Sequence, residues 1–285
     1  MLFYSGRYLL FTLPLYILRI REKKSMSSED KGYKLTGQQQ RVLKLLFKFR
    51  FVSAWLLADV MGISRASVYE VLEQLVAKEL VTKVYEDVFR IDRKPAYYYL
   101  NKAGVTTVRK VMDVKETVVH ALYKDDVARD DFIEHSMKLM RCYVAIMKHL
   151  PKDSDMFSKT EINRFRQFPK NRPDLYIRTP EGKEAIIVLA DNMQPYIARK
   201  RLDEIIKHSE DESWEGDDYP TIGFILRDYS VKNSFLYTTR RKLDDMGLDE
   251  NELPIVATSL KALSEPTASI WSTPYRSKQN ISLFE

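Results

Sequence analysis

The chain has 285 residues, of which 45% are hydrophobic and 30% are charged. This length allows two domains of roughly 100–200 residues each, and the composition is that of a soluble globular protein. The single cysteine, Cys142, excludes an intramolecular disulfide, and one cysteine with four histidines argues against a structural zinc site.

The charge is unevenly distributed along the chain. Residues 1–25 carry 5 Lys and Arg against 1 Asp or Glu, residues 26–110 carry 15 against 9, and residues 111–285 carry 26 against 30. The basic first half indicates contact with a polyanion. A solvated basic face would have the same composition.

Residues 1–35 are predicted to be an extension before the first domain. The apolar run from Tyr8 to Leu18 is shorter than the ~20 residues of a spanning helix, and Pro14 interrupts it. The positive charge follows the run, whereas in a signal peptide it precedes the run. We expect an over-extended start with Met26 as the natural first residue, and a cytoplasmic protein. An interfacial anchor is the alternative.

Residues 36–112 are predicted to form a winged helix-turn-helix. Thr36 caps a first helix, a second helix runs from about Ser53 to Met61, and Gly62 ends it. Ser64 caps a third helix that runs to about Glu79. Two strands, "LVTKVYEDVFRI" and "PAYYYLNKAG", then form a hairpin around "DRK".

The rest of the chain is predicted to form a helix followed by a small α/β domain. One long amphipathic helix spans residues 125–150 within a linking or dimerisation segment, 113–151. Residues 152–275 alternate strands and helices, with a hairpin around "TPEG", and residues 276–285 are a tail. The predicted fold class is mixed α+β and α/β.

The third helix has the pattern of a helix that enters the major groove of DNA. Val68, Leu72 and Leu75 share one face, which leaves short polar and basic residues at the leading end of the other. Arg65 can pair with a guanine or hold a phosphate, and basic residues at the hairpin tip can reach a second phosphate. The predicted DNA contacts are Ser64, Arg65, Ser67, Tyr69, Glu70, Arg90, Arg93 and Lys94. A winged helix that binds only protein is the alternative.

Three stretches of the sequence together follow the pattern of one known family: residues 35–81, "RKPAYYYLNKAG", and "RPDLYI" followed by "AIIVLADN". They resemble the replication-relaxation family of bacterial plasmids and mobile elements. The resemblance implies a winged helix joined to a domain similar to PD-(D/E)xK nucleases, and a DNA-binding accessory factor.

A nuclease of that fold needs an Asp on one strand and Glu-x-Lys on the next, to hold Mg²⁺ and to assist the attacking water. Asp174 matches the first Asp, and Glu161 matches an additional acid of some members. The next strand departs from the motif, because it reads Leu-Ala-Asp191 with Met193 where Lys should stand. Lys200 or Lys207 from the following helix could replace that lysine. If the domain is active, the catalytic residues are Glu161, Asp174 and Asp191.

Other catalytic patterns are not found in the sequence. Cys142 shares a helix face with Leu139 and Ile146 and is expected to be buried, and the four histidines lack metal-ligand spacing. The sequence thus predicts a catalytically inactive protein with no cofactor, no metal and no small-molecule substrate. Its expected partners are double-stranded DNA, a second copy of the chain, and replication or relaxase proteins. A Mg²⁺-dependent nuclease is the alternative function.

Overall fold

A computed structural model describes residues 34–85, 95–112, 116–163, 165–211, 214–216, 218–276 and 279–284. Most of the predicted N-terminal extension and the tip of the predicted hairpin, residues 86–94, lie outside this part. None of the described helices is long and apolar enough to cross a bilayer.

The first part of the chain is a winged helix-turn-helix. Its sheet has the order β1-β3-β2, and both pairings are antiparallel. The predicted helices and the predicted hairpin strands are confirmed within the described residues, whereas the two-residue β1 has no counterpart in the prediction. The elements are α1 (Gly37–Phe49), β1 (Val52–Ser53), α2 (Ala54–Met61), α3 (Arg65–Ala77), β2 (Val81–Val84) and β3 (Tyr97–Leu100).

Local capping sets the ends of these helices. Thr36 and Gln39 form a reciprocal capping box at the start of α1. Gly62 ends α2 with φ 66°, a left-handed conformation that glycine adopts at little cost. Helix α3 ends at Ala77, two residues before the predicted end, because Glu79 has φ 55° and cannot continue a right-handed helix.

The "NKAG" sequence after β3 starts helix α4 (Lys102–Val111). The Asn101 side chain accepts a hydrogen bond from the Gly104 backbone N–H at 2.9 Å and donates to the Glu79 carbonyl. A Cβ atom at Gly104 would lie 2.0 Å from the Leu80 carbonyl oxygen. Only glycine therefore lets α4 pack this closely against the chain at the start of β2.

The predicted long helix 125–150 is wrong at its N-terminal end. Helix α5 (Glu116–Leu122) is followed by a 3-10 turn at Asp125–Val127, and α6 covers only Asp130–Met147. The turn is held by the buried Asp125 carboxylate, which pairs with the Arg50 guanidinium at the end of α1. A tertiary contact thus interrupts a stretch whose periodicity is helical.

The second part of the chain contains a five-stranded sheet of order β4-β5-β6-β7-β8. Strands β4, β5 and β6 are antiparallel, and β6, β7 and β8 are parallel. These elements confirm the predicted strand and helix alternation. They are β4 (Asp155–Ser158), α7 (Lys159–Ile162), β5 (Leu175–Arg178), β6 (Glu184–Leu189), α8 (Pro195–Glu210), β7 (Thr221–Leu226), α9 (Tyr229–Met246) and β8 (Ile255–Ser259).

Both faces of this sheet are buried, each against a different part of the molecule. Ile186 and Phe224 point to the face covered by α8 and α9. Ile187 and Ile225 point to the opposite face and join a hydrophobic cluster that extends into α6 and the winged helix. This one cluster crosses the boundaries predicted at residues 112 and 151, so the division into domains stays a prediction.

Helix α6 lies between the winged helix and the sheet. Met140, Tyr143 and Ile146 are buried in the shared cluster. The apolar face that the sequence assigned to a dimer contact is therefore covered within the chain. Four further apolar residues of the predicted helix 125–150 are only half-buried: Phe132, Met137, Met147 and Leu150.

Candidate nucleic-acid interface and the buried acids

Helices α2 and α3 present an aromatic and basic pair at the leading end of α3. The Arg65 guanidinium carbon lies 4.3 Å from the centroid of the Trp55 ring. Trp55 is 50% exposed at the start of α2, so the pair faces solvent. A cation over an aromatic face is attracted by the ring quadrupole, which restricts the orientation of the guanidinium.

The exposed face of α3 continues through Tyr69, which lies one turn after Arg65 and is 40% exposed. One turn further, Glu73 pairs with Lys83 of β2 at 2.7 Å. Glu70 is also exposed on this helix. The face thus carries both signs of charge, with Arg65 at its leading end.

The predicted contact residues differ in how available they are. Ser64, Arg65, Tyr69 and Glu70 are exposed. Ser67 is half-buried, and its hydroxyl lies 2.8 Å from the hydroxyl of Ser64, which caps α3 by accepting from the Ser67 N–H. The hydroxyls of the two serines are therefore engaged with each other.

Arg90, Arg93 and Lys94, the predicted contacts at the tip of the wing, lie outside the described residues. Strands β2 and β3 run antiparallel, with Val84 opposite Tyr97, and lead toward that segment.

The sequence analysis does not identify Trp55, because this residue does not belong to the apolar face formed by Leu56, Leu57 and Val60. The sequence does contain a signal for this residue. Trp55 is a large aromatic residue on the solvent face of the first helix of a helix-turn-helix, where it cannot pack in the core.

The three acids of the nuclease alternative each contact a different basic side chain. Glu161 pairs with Lys48 of α1 at 3.1 Å and also accepts a hydrogen bond from the Ser158 N–H at 2.9 Å. Lys48 is itself buried, with its ammonium group 4.6 Å from the Tyr143 ring centroid. Burial by itself would lower the pKa of Lys48. The charges and hydrogen bonds of Glu161 and Tyr143 outweigh burial, so the pKa of the lysine is raised.

The buried Asp174 and Asp191 contact basic side chains of α6. Asp174 accepts from the Leu189 N–H at 2.8 Å and lies 3.4 Å from His135 Nε2. Burial opposes ionisation of Asp174, but the His135 hydrogen bond, the Lys159 charge and the Leu189 N–H outweigh it and lower its pKa.

Asp191 pairs with Lys138 at 2.8 Å. His135 and Lys138 are three residues apart, so they project from one face of α6 toward the sheet. A basic side chain of α6 thus contacts each of these two acids.

This arrangement does not fit a Mg²⁺ centre. A hard cation needs several oxygen ligands directed at one point, whereas Glu161, Asp174 and Asp191 are each directed at a basic side chain. In the described part of the chain, no group of three His, Cys, Asp or Glu residues could hold a metal ion. Lys200 and Lys207, the predicted replacement lysines, are exposed on α8, and the lysine that contacts Asp191 is Lys138.

Cys142 is buried, as predicted. Burial, with smaller contributions from the nearby charges of Asp191 and Asp174, raises the pKa of its thiol to about 12. A thiol with such a pKa remains protonated at neutral pH and is a poor nucleophile.

No protein-family model and no curated protein matches this chain. Among solved structures, it is similar to a transcriptional regulator from Thermotoga maritima, with 16% identity and a TM-score of 0.25 over 35% of this chain and 68% of that chain. It is also similar to the adhesin competence repressor of Streptococcus pyogenes, with 21% identity and a TM-score of 0.24 over 36% of this chain and 74% of that chain.

A third similar structure is a mutant of ZitR from Lactococcus lactis in complex with DNA, with 18% identity and a TM-score of 0.24. The match covers 41% of this chain and 78% of that chain. Such low identities and TM-scores do not carry a function from these proteins to this one.

Proposed function

We propose that this protein binds duplex DNA through its winged helix-turn-helix, as a regulatory or accessory factor of a plasmid or mobile element. The observation that supports this proposal most is the exposed Arg65–Trp55 pair at the leading end of α3. In a helix-turn-helix, this end of the second helix is the part that contacts base edges in the major groove.

The proposal assigns different roles to the parts of this surface. Arg65 reads a base, most simply a guanine through its two hydrogen-bond acceptors in the major groove. Tyr69 lies against the sugar-phosphate edge or a thymine methyl group. The basic residues of the wing contact phosphates and carry no sequence information themselves.

The association with replication, relaxation or mobilisation is supported by the resemblance of residues 35–81 and of the "YYYLNKAG" and "RPDLYI" sequences to the replication-relaxation family. The structure explains two residues of the second sequence, because Asn101 caps α4 and Gly104 allows the close approach to Leu80. In this proposal, replication or relaxase proteins are the partners, and the α/β part performs no catalysis.

Fluorescence anisotropy of the full chain with labelled duplexes tests the proposal. We would compare DNA from beside its own gene with a scrambled duplex, across ~50–200 mM salt. We expect tighter binding to its own DNA that persists at the higher salt. Absence of binding to either duplex at low salt would contradict DNA binding and direct the search to a protein partner.

An Arg65→Ala variant tests the base-reading role. We expect a loss of about 1–3 kcal/mol for the preferred duplex and a relaxed sequence preference. Arg227→Ala is the matched control, because Arg227 is an exposed arginine that follows β7 in the other part of the chain. An Arg65→Ala protein with unchanged sequence preference would contradict the base-reading role.

A cleavage assay with Mg²⁺ or Mn²⁺ tests the absence of catalysis. We expect the supplied DNA to remain intact, because the three acids are paired with Lys48, His135 and Lys138. Metal-dependent cleavage that Asp174→Ala abolishes would support the nuclease alternative instead.

A homodimer that spans two half-sites one helical turn apart belongs to the same proposal. The buried face of α6 is already covered within the chain, so the contact must use another surface. Sedimentation equilibrium with and without the preferred duplex would show whether two copies assemble, and a monomer in both conditions would contradict the dimer.

A further inference from the structure

A cavity of ≈ 400 Å³ lies between the winged helix and the α/β part. It is lined by the end of α1, by α5, α6 and α7, and by Asp174 just before β5. Its volume is within the range of about 300–1,000 Å³ that is common for small-molecule sites. The volume and the position both suit a ligand that touches the two parts of the chain at once.

The wall of the cavity is largely apolar. Val118 and Leu122 of α5 line one side, and Phe132 and Leu139 of α6 line another, with Phe49 from the end of α1. An apolar wall of this kind favours a ligand with a hydrocarbon or aromatic body, because burying that body removes its surface from water.

The charged groups on the wall are mainly basic: Lys48, Arg50, His135 and Lys159 stand against the single acid Asp174. Three of these basic residues pair with acids of the chain, Lys48 with Glu161, Arg50 with Asp125 and His135 with Asp174.

Lys159 differs from them, because it forms no salt bridge with any acid of the described residues. Its charge acts on Asp174, which already accepts hydrogen bonds from His135 and Leu189. Lys159 is also the exposed member of the four, so a ligand can reach it from solvent.

We propose that this cavity binds a small organic anion with an apolar body, whose acid group lies against Lys159 and whose body lies among Val118, Leu122 and Leu139. Such a ligand would bridge α5 and α6 to α7. A bound ligand of this kind changes DNA affinity if the two parts of the chain shift relative to each other. This coupling rests on the proposed function, whereas the site itself does not.

Isothermal titration of the full chain without DNA tests the site. The probes are naphthalene-1-carboxylate, naphthalene-1-methylamine and 1-naphthalenemethanol, which share one apolar body and differ in charge. We expect saturable one-to-one binding of the carboxylate and at least tenfold weaker binding of the amine. No saturable binding of the carboxylate, or equal binding of the amine, would overturn the proposal.

Substitutions then locate the binding. Lys159→Gln should weaken the carboxylate about tenfold, which corresponds to about 1.4 kcal/mol, and leave the alcohol unchanged, while Lys159→Arg should retain carboxylate binding. Lys170→Gln is the matched control, since Lys170 is an exposed lysine that does not line the cavity. An equal loss for the acid and the alcohol, or no loss at all, would contradict the role of Lys159.

Ala121→Leu adds volume at an exposed position on the cavity wall and should weaken all probes that bind. An unchanged urea midpoint would show that the fold of each variant is intact. Unchanged binding to a folded Ala121→Leu protein would place the probes elsewhere and overturn the site.

The coupling is tested separately, by repeating the DNA titration with saturating naphthalene-1-carboxylate. A change in DNA affinity that Lys159→Gln removes supports it, and an unchanged affinity contradicts it. If the protein binds the probe but no DNA, the cavity site stands, and the coupling falls together with the proposed function.

Discussion

Helix α3 of the winged helix and the sheet of the α/β part use charged side chains in opposite ways. On the winged helix, Arg65 and Glu70 are exposed on α3. In the α/β part, Asp174 and Asp191 are buried, and α6 supplies a basic partner for each.

Exposed charges cost little to keep and remain available to a polyanion, whereas buried charges are stable only when paired. Helix α3 therefore presents its charged groups outward, and the α/β part uses Asp174 and Asp191 to hold α6 on the sheet.

Lys48 belongs to both parts, because it lies at the end of α1 and reaches the α/β part. Its ammonium group pairs with Glu161 and donates to the Met156 carbonyl at 2.5 Å, and its own carbonyl accepts from the Ser158 hydroxyl at 2.7 Å. Breaking this junction has the largest expected effect.

We expect Lys48→Met to lower the free energy of unfolding by about 3–5 kcal/mol, because it leaves the Glu161 carboxylate without its cation in a poorly hydrated place. Urea denaturation followed by circular dichroism measures this loss. Adding Glu161→Gln should recover part of it, and Lys44→Met, on the same helix, is the control. A loss below about 1 kcal/mol would show that the pair does not hold the two parts together.

The Arg50–Asp125 pair, which joins the end of α1 to the 3-10 turn before α6, gives the stability of the chain a dependence on pH. Burial raises the pKa of Asp125 to about 6, against the opposing effect of the Arg50 guanidinium. Since this pKa is higher in the folded chain, protonated Asp125 is favoured by folding. Its contribution to stability is present at low pH and is lost as the pH rises from about 4 to 6.

Asp125→Asn should remove this dependence. The difference in unfolding free energy between the wild-type and variant proteins should therefore change by up to about 3 kcal/mol between pH 4 and 7. Unfolding free energies measured across that range test it, with Asp126→Asn, at the exposed neighbouring carboxylate, as the control. The same pH dependence in the Asp125→Asn protein would assign the effect to another group.

Trp55→Ala tests the exposed surface of the winged helix. The ring is half exposed, so we expect a small effect of its removal on stability. Affinity for the preferred duplex should fall two- to fivefold, about 0.5–1 kcal/mol, because Arg65 loses its stacking partner. Anisotropy measures the affinity, and Tyr237→Ala, an exposed aromatic on α9, is the control. Equal losses in both variants would contradict a local role for Trp55.

Substitution of Arg93 and Lys94 is expected to have the smallest effect on specificity. Glutamine at both positions should weaken binding to all duplexes alike, and each lost phosphate contact should lower the magnitude of the salt slope by about 1. Titrations at several salt concentrations measure the slope. A change in sequence preference would show that the wing reads bases.

Much of the winged helix could be predicted from the sequence, because its signals are local. Thr36, Ser64 and Gly62 mark helix ends through bonds to residues a few positions away. The exposure of Arg65 and Tyr69 also follows from the position of Val68 and Leu72 on the opposite face of α3.

The α/β part could be predicted only as a series of elements. The alternation of strands and helices and the hairpin were predicted correctly, because period and turn residues are also local signals. The partners of Asp174 and Asp191 could not be predicted, since His135 and Lys138 are 39 and 53 positions away. The end of the long helix at Asp130, and the covering of its apolar face, depended on such distant contacts as well.

The sequence by itself determined most of the helices and strands and the side of α3 that faces solvent, because hydrophobic period and capping act within a few residues. Tertiary structure decided which charges are paired. Lys48 and Met156, 108 positions apart, come into contact only when the winged helix and the sheet share one hydrophobic cluster. Burying that cluster removes the nearby ionic groups from water, so their partners, and the cavity that remains between them, are set by the packing of the whole chain.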